Sequence, residues 1–282
     1  MQERNLYFTF IDRRKAGTAG LNFVGVRDGK EYIGTKNKIL NPDSTGTGEI
    51  VQYSRNLFMG YHKEEQLTRE AFTEDYWYRS GDIGSFDSEG YLTVSGRLKE
   101  IIITAGGKNI APIPIEDALK DELKKVVSNA VIVGEKQKYL TCLLTLRVII
   151  DQETQQPTDQ LDPVVIHWAK NLGCHDLETV DHFINGPHSG KLSAAILQGF
   201  NNVNSKAESN VTRVQKFTIL PKEFSINGGE LGPTLKMKRY FVYEKYSSYI
   251  DAMYVEVKAA ELKKEDKINR PQNNLAANRV AL

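Results

Sequence analysis

From Leu21 to about Val94, apolar and polar residues alternate in short runs broken by turn residues, which predicts strands rather than helices. The breaks fall at Asp28-Gly29, Asn41-Pro-Asp43, Thr45-Gly-Thr-Gly48 and Glu89-Gly90, residue types that suit tight turns. Gly48-Glu-Ile-Val-Gln-Tyr53 and Gly90-Tyr-Leu-Thr-Val94 are the clearest strands, with β-branched and aromatic residues in alternation. Between them His62 to Phe72, rich in Glu, Lys and Leu, predicts a short helix. Residues 1 to about 20 carry weak periodicity and read as loop-like.

The pattern changes after Arg97. Ile101-Ile-Ile-Thr104 predicts a strand and Ala105-Gly-Gly-Lys-Asn109 a sharply turned or mobile loop. Ala111-Pro-Ile-Pro-Ile-Glu116 leads into a helix expected to run to about Val127. Ala130 to Val133 and Leu140 to Leu146 predict apolar strands joined by a hairpin at Gly134-Glu-Lys-Gln-Lys138. Asp151 to Asp162 reads as a polar surface excursion. Helices are expected at Val164 to Leu172, Leu192 to Val203 and Tyr240 to Lys263, and a strand at Gln215 to Leu220. The Asn-rich tail from Glu265 predicts disorder. Sheet and helix mix without a repeated strand–helix alternation, so the expected class is α+β.

Composition narrows the function. A chain of 282 residues suffices for one or two domains. Its net charge of +1 gives no general attraction to nucleic acid or to an anionic membrane. The most apolar run, Tyr139 to Ile150, is short, is interrupted by Arg147, and reads as a buried strand rather than a membrane span. The N-terminus lacks the basic-then-apolar order of a secretory signal, and only Cys142 and Cys174 are present. Together these predict a cytoplasmic location, with room for peripheral contact with the endoplasmic reticulum or another intracellular membrane. His167, Cys174, His175, His182 and His188 lack the paired short spacing of a zinc site, so no metal site is expected. Glu116, read as a first-turn residue of its helix, is assigned to the helix dipole rather than to catalysis.

The chemistry concentrates in two motifs. Tyr78-Arg-Ser-Gly-Asp82 puts a carboxylate beside a glycine, expected in a tight turn, and Gly96-Arg97-Leu98-Lys99-Glu100 adds two cations after a hairpin. A carboxylate can accept two neighbouring hydroxyls, as on a ribose, and Arg and Lys suit a phosphate next to it. A turn Asp after Gly is common, and so is a solvated basic pair. The order Trp77-Tyr78, Asp82, Arg97, then Ile101-Ile-Ile-Thr-Ala-Gly-Gly-Lys-Asn-Ile-Ala-Pro112 is far more specific.

That order resembles the adenylate-forming superfamily, which activates carboxylic acids with ATP. The insertion between Leu146 and Lys216, together with Phe224-Ser-Ile-Asn-Gly-Gly-Glu-Leu-Gly-Pro233, is similar to long-chain fatty acid–CoA ligases of the bubblegum type. The resemblance covers about residues 33 to 260. It implies that Asp82 holds the ribose hydroxyls, that Arg97 reaches ribose and phosphate, and that Lys99 is a domain hinge. Gly106 and Gly107 would line the pantetheine path. Lys236, in Gly229-Glu-Leu-Gly-Pro-Thr-Leu-Lys-Met-Lys-Arg239, would be the catalytic cation on the reacting α-phosphate and carboxylate, with Lys238 and Arg239 as competitors. Fatty acid, ATP, Mg²⁺ and CoA follow as implied partners.

The same resemblance implies a division into residues 1–97, an incomplete part of the adenylating domain; 98–264, a mobile C-terminal domain with a helical insertion; and 265–282, a tail. No Gly-rich phosphate loop ending in Lys occurs. The chain is therefore expected to be the C-terminal portion of such an enzyme and inactive alone; the alternative is a non-catalytic nucleotide-, CoA- or protein-binding module.

Overall fold

The computed structural model describes residues 23–255 apart from 28, 29, 56 and 208. The loop expected before residue 21 and the tail expected from Glu265 lie outside the described residues. The described residues form two compact units, one within Met1–Glu122 and Gly134–Lys138, the other within Leu123–Val133 and Tyr139–Leu282.

The first unit is built on an antiparallel meander of β1 (Phe23–Arg27), β2 (Lys30–Leu40), β3 (Gly48–Ser54), β4 (Tyr78–Phe86) and β5 (Leu92–Arg97), in that spatial order. Turn chemistry sets its corners. Asp43 Oδ1 accepts from the Thr45 and Thr47 amides between β2 and β3, and Asp87 Oδ1 accepts from the Glu89 and Tyr91 amides between β4 and β5. Ile50, Val51, Ile83 and Leu92 are its buried aliphatics. The expected short helix is present as α1 (Glu65–Glu70).

After β5 a single 3₁₀ turn, Leu98–Glu100, leads to the hairpin of β6 (Ile102–Ile103) and β7 (Asn109–Ile110) and then to α2 (Pro112–Glu122). The helix begins earlier and ends earlier than its sequence suggests, because Pro112 fits its first turn and Val127 already belongs to the next strand. Glu116 consequently sits buried in the second turn, beyond the first turn where the helix dipole would favour it.

In the second unit β8 (Val127–Val133) and β9 (Leu140–Leu146) form the expected hairpin. Every residue of β9 is buried, which explains its unbroken apolar run. The segment expected as a polar excursion contains a strand, β11 (Pro157–Leu161), which pairs back onto β10 (Val148–Ile150) just before it. α3 (Pro163–Asn171) is capped by Asp162, and the short α4 (Val180–Asn185) by Thr179. α5 (Ser189–Ser205) buries Leu192, Ile196 and Phe200. β12 (Val214–Ile219) then returns parallel to β9, giving the order β12-β9-β8. A parallel pair needs a crossover, and the insertion seen in the sequence supplies it.

The last helix departs from the expected continuous one. α6 (Arg239–Lys245) is interrupted at Tyr246 and helix resumes over residues 247–255. From this helical stretch Val242, Tyr246, Met253 and Tyr254 pack with Val131, Leu143, Leu220 and Phe224 in one cluster. Tyr254 bonds the Val133 and Tyr139 carbonyls and Thr141, and burial pushes its hydroxyl up to about 12.

Candidate functional site

Asp82 does not sit in a turn between elements; it lies on a bulge inside β4. The β3–β4 register runs Glu49 to Ile83 and then Val51 to Arg79, so Ser80, Gly81 and Asp82 together face Ile50. Gly81 has φ +71°, a backbone state that a side chain resists. The Ser80 hydroxyl closes the bulge, donating to Ile50 O at 2.7 Å and accepting from Asp82 N at 3.0 Å.

The bulge turns Asp82 toward β5, where Arg97 is its direct cross-strand partner. Arg97 Nε donates to Asp82 Oδ1 at 3.0 Å. The Asp82 side chain is 33% exposed and that of Arg97 62%. An ion pair in that setting is worth about 0–1 kcal/mol, so hydroxyls of a ligand can replace or join it at little cost. On the other side of the bulge, the buried Glu49 accepts from Arg79 Nε at 3.1 Å and Nη2 at 2.7 Å. The hydrogen bonds that Arg79 donates to that carboxylate raise the Arg79 pKa.

Beside the pair stands an aromatic cluster. Phe58 packs against Tyr61, Phe72 and Tyr78 with ring centroids 4.9–5.6 Å apart. Burial, the neighbouring Tyr61 and the Asp82 charge raise the Tyr78 pKa, so its hydroxyl stays protonated and can donate.

Lys99 is exposed in the 3₁₀ turn directly after Arg97. Gly106 and Gly107 form the tip of the β6–β7 hairpin, whose base is closed by Thr104 N to Lys108 O at 3.1 Å. Apart from the adjoining residues, no atom lies within 4 Å of where a Cβ would stand on either glycine.

Lys236 belongs to the second unit. Leu231 and Met237 bridge, Gly232 N donates to Lys236 O at 2.8 Å, and Lys238 N donates to Glu230 O at 2.7 Å. Lys236 thus stands exposed on a closed turn, after Leu235, whose φ is +59°. Of its two competitors, Arg239 is half-buried at the start of α6, whereas Lys238 is exposed.

Sequence reasoning passed over the carboxylate at the root of this turn. Glu230 is 2% exposed. Its Oε1 accepts from Lys245 Nζ and, at 2.8 Å, from the Tyr246 hydroxyl; its Oε2 accepts from Ser225 N at 3.3 Å. Burial works to raise its pKa, but these bonds outweigh burial and hold the carboxyl below its ordinary value. Burial and Glu230 push the Tyr246 hydroxyl strongly upward. The available signal was a lone acid between Gly228-Gly229 and Leu231, but its partners lie a helix away in sequence.

Among the described residues no three His, Cys, Asp or Glu stand together as a metal site, and no helix is long and apolar enough to cross a membrane.

Residues 99–175 match the AMP-binding enzyme C-terminal domain. The fold is that of adenylate-forming enzymes. The adenylation domain of a carboxylate reductase from Mycobacterium chelonae aligns over 78% of this chain and 31% of its own, with TM-score 0.58 and 20% identity. The A domain of a carboxylic acid reductase from Segniliparus rugosus, solved with AMP and a co-purified carboxylic acid, aligns over 79% and 31% with TM-score 0.57 and 18% identity. Within that class the chain is a homologue of the bubblegum-type long-chain fatty acid–CoA ligases. It is 46% identical over 226 residues to long-chain-fatty-acid–CoA ligase ACSBG2 of Xenopus laevis, spanning 80% of this chain and 30% of that ligase.

Proposed function

We propose that this chain supplies the ribose contact and the catalytic lysine for a long-chain fatty acid–CoA ligase. The reaction is attack of a fatty acid carboxylate on the α-phosphate of ATP, with loss of pyrophosphate, then thioester formation with CoA. The observation that supports this reading best is Asp82, lifted by the bulge and paired with Arg97 through one oxygen only weakly. In this reading Asp82 accepts the ribose hydroxyls and Arg97 turns to phosphate. Lys236 stabilises charge developing on the α-phosphate, a contact worth roughly 10²–10³-fold in rate by analogy with an oxyanion-hole donor. Mg²⁺ would neutralise phosphate charge, and no residue of this chain is assigned to it.

Lys99 is proposed as the hinge, since a turn between two elements can absorb a large backbone change. Gly106 and Gly107, open on all sides, would border the path of CoA. The proposed functional boundary lies at residues 97 and 98, while by contact residues 98–122 group with the first unit. The protein is proposed to work in the cytoplasm, with peripheral membrane contact where fatty acid is delivered.

The test is calorimetric titration of the purified chain with ATP and with palmitoyl sulfamoyl adenosine, a non-hydrolysable acyl-adenylate analogue. Binding is expected, and Asp82→Ala should weaken it roughly 10- to 100-fold, the range for a hydrogen bond to a charged group. Equal affinity of wild type and Asp82→Ala overturns the ribose assignment.

A further inference from the structure

The turn that carries Lys236 contains a bulky residue in the left-handed region, Leu235, and exposes its tip to water. Such a turn does not hold its shape by local preference alone. What fixes it is found at its root.

Glu230 is the residue whose carbonyl accepts from Lys238 N, closing the turn, while its side chain reaches α6. The carboxylate there holds three donors from two segments: Ser225 N, Lys245 Nζ and the Tyr246 hydroxyl. Lys245 also donates to Gly228 O at 2.9 Å, so the loop before the turn is tied to the same helix twice. The two glycines before it make the approach feasible. A Cβ on Gly228 would collide with Glu230 Oε2, and one on Gly229, at φ +91°, would run into the Phe241 ring. Tyr246, whose hydroxyl reaches Glu230, is also the residue at which the last helix is interrupted.

We infer that Glu230 is a positioning residue for Lys236: its buried carboxylate fastens the root of the Gly232–Lys236 turn to α6 and so fixes where the Lys236 ammonium is presented. The inference rests on the reading of Lys236 given above. Glu230 itself, 2% exposed, is closed off from solvent and acts through the turn.

Amide hydrogen exchange on the purified chain tests the fastening. In Glu230→Gln and in Lys245→Met, the Gly232 and Lys238 amides should exchange roughly tenfold faster or more, as for loss of a charged hydrogen bond. Amides of β9 should stay unchanged, and Lys245→Arg should restore near-wild-type exchange at the turn. A uniform rise over the whole unit, or no rise at the turn, overturns the proposal. Where Glu230→Gln does not fold, Lys245→Met reads the same contact from its more exposed side.

Affinity for palmitoyl sulfamoyl adenosine supplies a readout that a merely structural role would not move. If Glu230 acts through Lys236, Glu230→Gln costs affinity in the wild-type background and nothing further once Lys236→Ala is present. Losses that simply add overturn the positioning role alone. No loss in the single Lys236→Ala variant overturns the assignment of Lys236, and the positioning role falls with it.

Discussion

Two carboxylates, Asp82 and Glu230, each face a cation, yet their surroundings are opposite. Asp82 is lifted onto a bulge, leaves a third of its side chain open, and meets an arginine that is mostly in water. Glu230 is enclosed and accepts from three donors, Ser225 N, Lys245 Nζ and the Tyr246 hydroxyl. The difference teaches how to tell a binding group from a brace. A binding carboxylate keeps a weak, exchangeable partner, whereas a bracing one is saturated and costly to disturb.

The comparison breaks most visibly on stability. Glu230→Ala should cost about 3 kcal/mol in chemical denaturation, the scale for removing one partner of a buried, hydrogen-bonded charge pair. A loss under ~1 kcal/mol would make Glu230 no different from Asp82. Acid sharpens the same point. The Glu230 carboxyl titrates below its ordinary 4.5 in the folded chain, so the unfolded chain takes up its proton first as pH falls. Its contribution should be fully present above the ordinary value and be lost as pH drops through the lower native one. Denaturation midpoints of wild type and Glu230→Gln, compared between neutral pH and pH 3, should therefore converge toward the acid end.

Gly81→Ala comes next. No atom crowds a Cβ there, so only the left-handed backbone penalty of about 1–2 kcal/mol applies. The expected signature is weakened ATP titration with the β9 exchange rates untouched. Asp82→Ala should cost less than ~1 kcal/mol of stability, as an exposed pair does, while costing most of the nucleotide affinity. A large stability loss would place Asp82 with the braces. Smallest is Leu235→Gly, where relief of the φ +59° strain is set against glycine's entropy. A gain of about 0.5 kcal/mol is expected in the melting curve.

Much of this was legible in the sequence, for identifiable reasons. β9 reads as an apolar run because both its faces are covered. Asp82 and Arg97 are separated by one hairpin, so their motif spacing foreshadowed the cross-strand pair that the ladder makes. The bulge itself was hidden, since it exists only in the register between β3 and β4. The strand β11, Pro157-Thr-Asp-Gln-Leu161, is too polar to announce itself and forms only against β10. α4 spans six residues, too few for helical periodicity to register. The break at Tyr246 and the role of Glu230 define each other, and neither side of that contact is visible without the other.

The parallel seam between β9 and β12 also sets an order in time. The β8–β9 hairpin can close locally, but β12 reaches its place only after everything from Arg147 to Arg213 has been traversed. Closing so distant a pair is slow relative to a hairpin. Until then one edge of β9, a strand buried at every position once folded, stands open, and that interval is when a newly made chain is most exposed to pairing with another copy of itself.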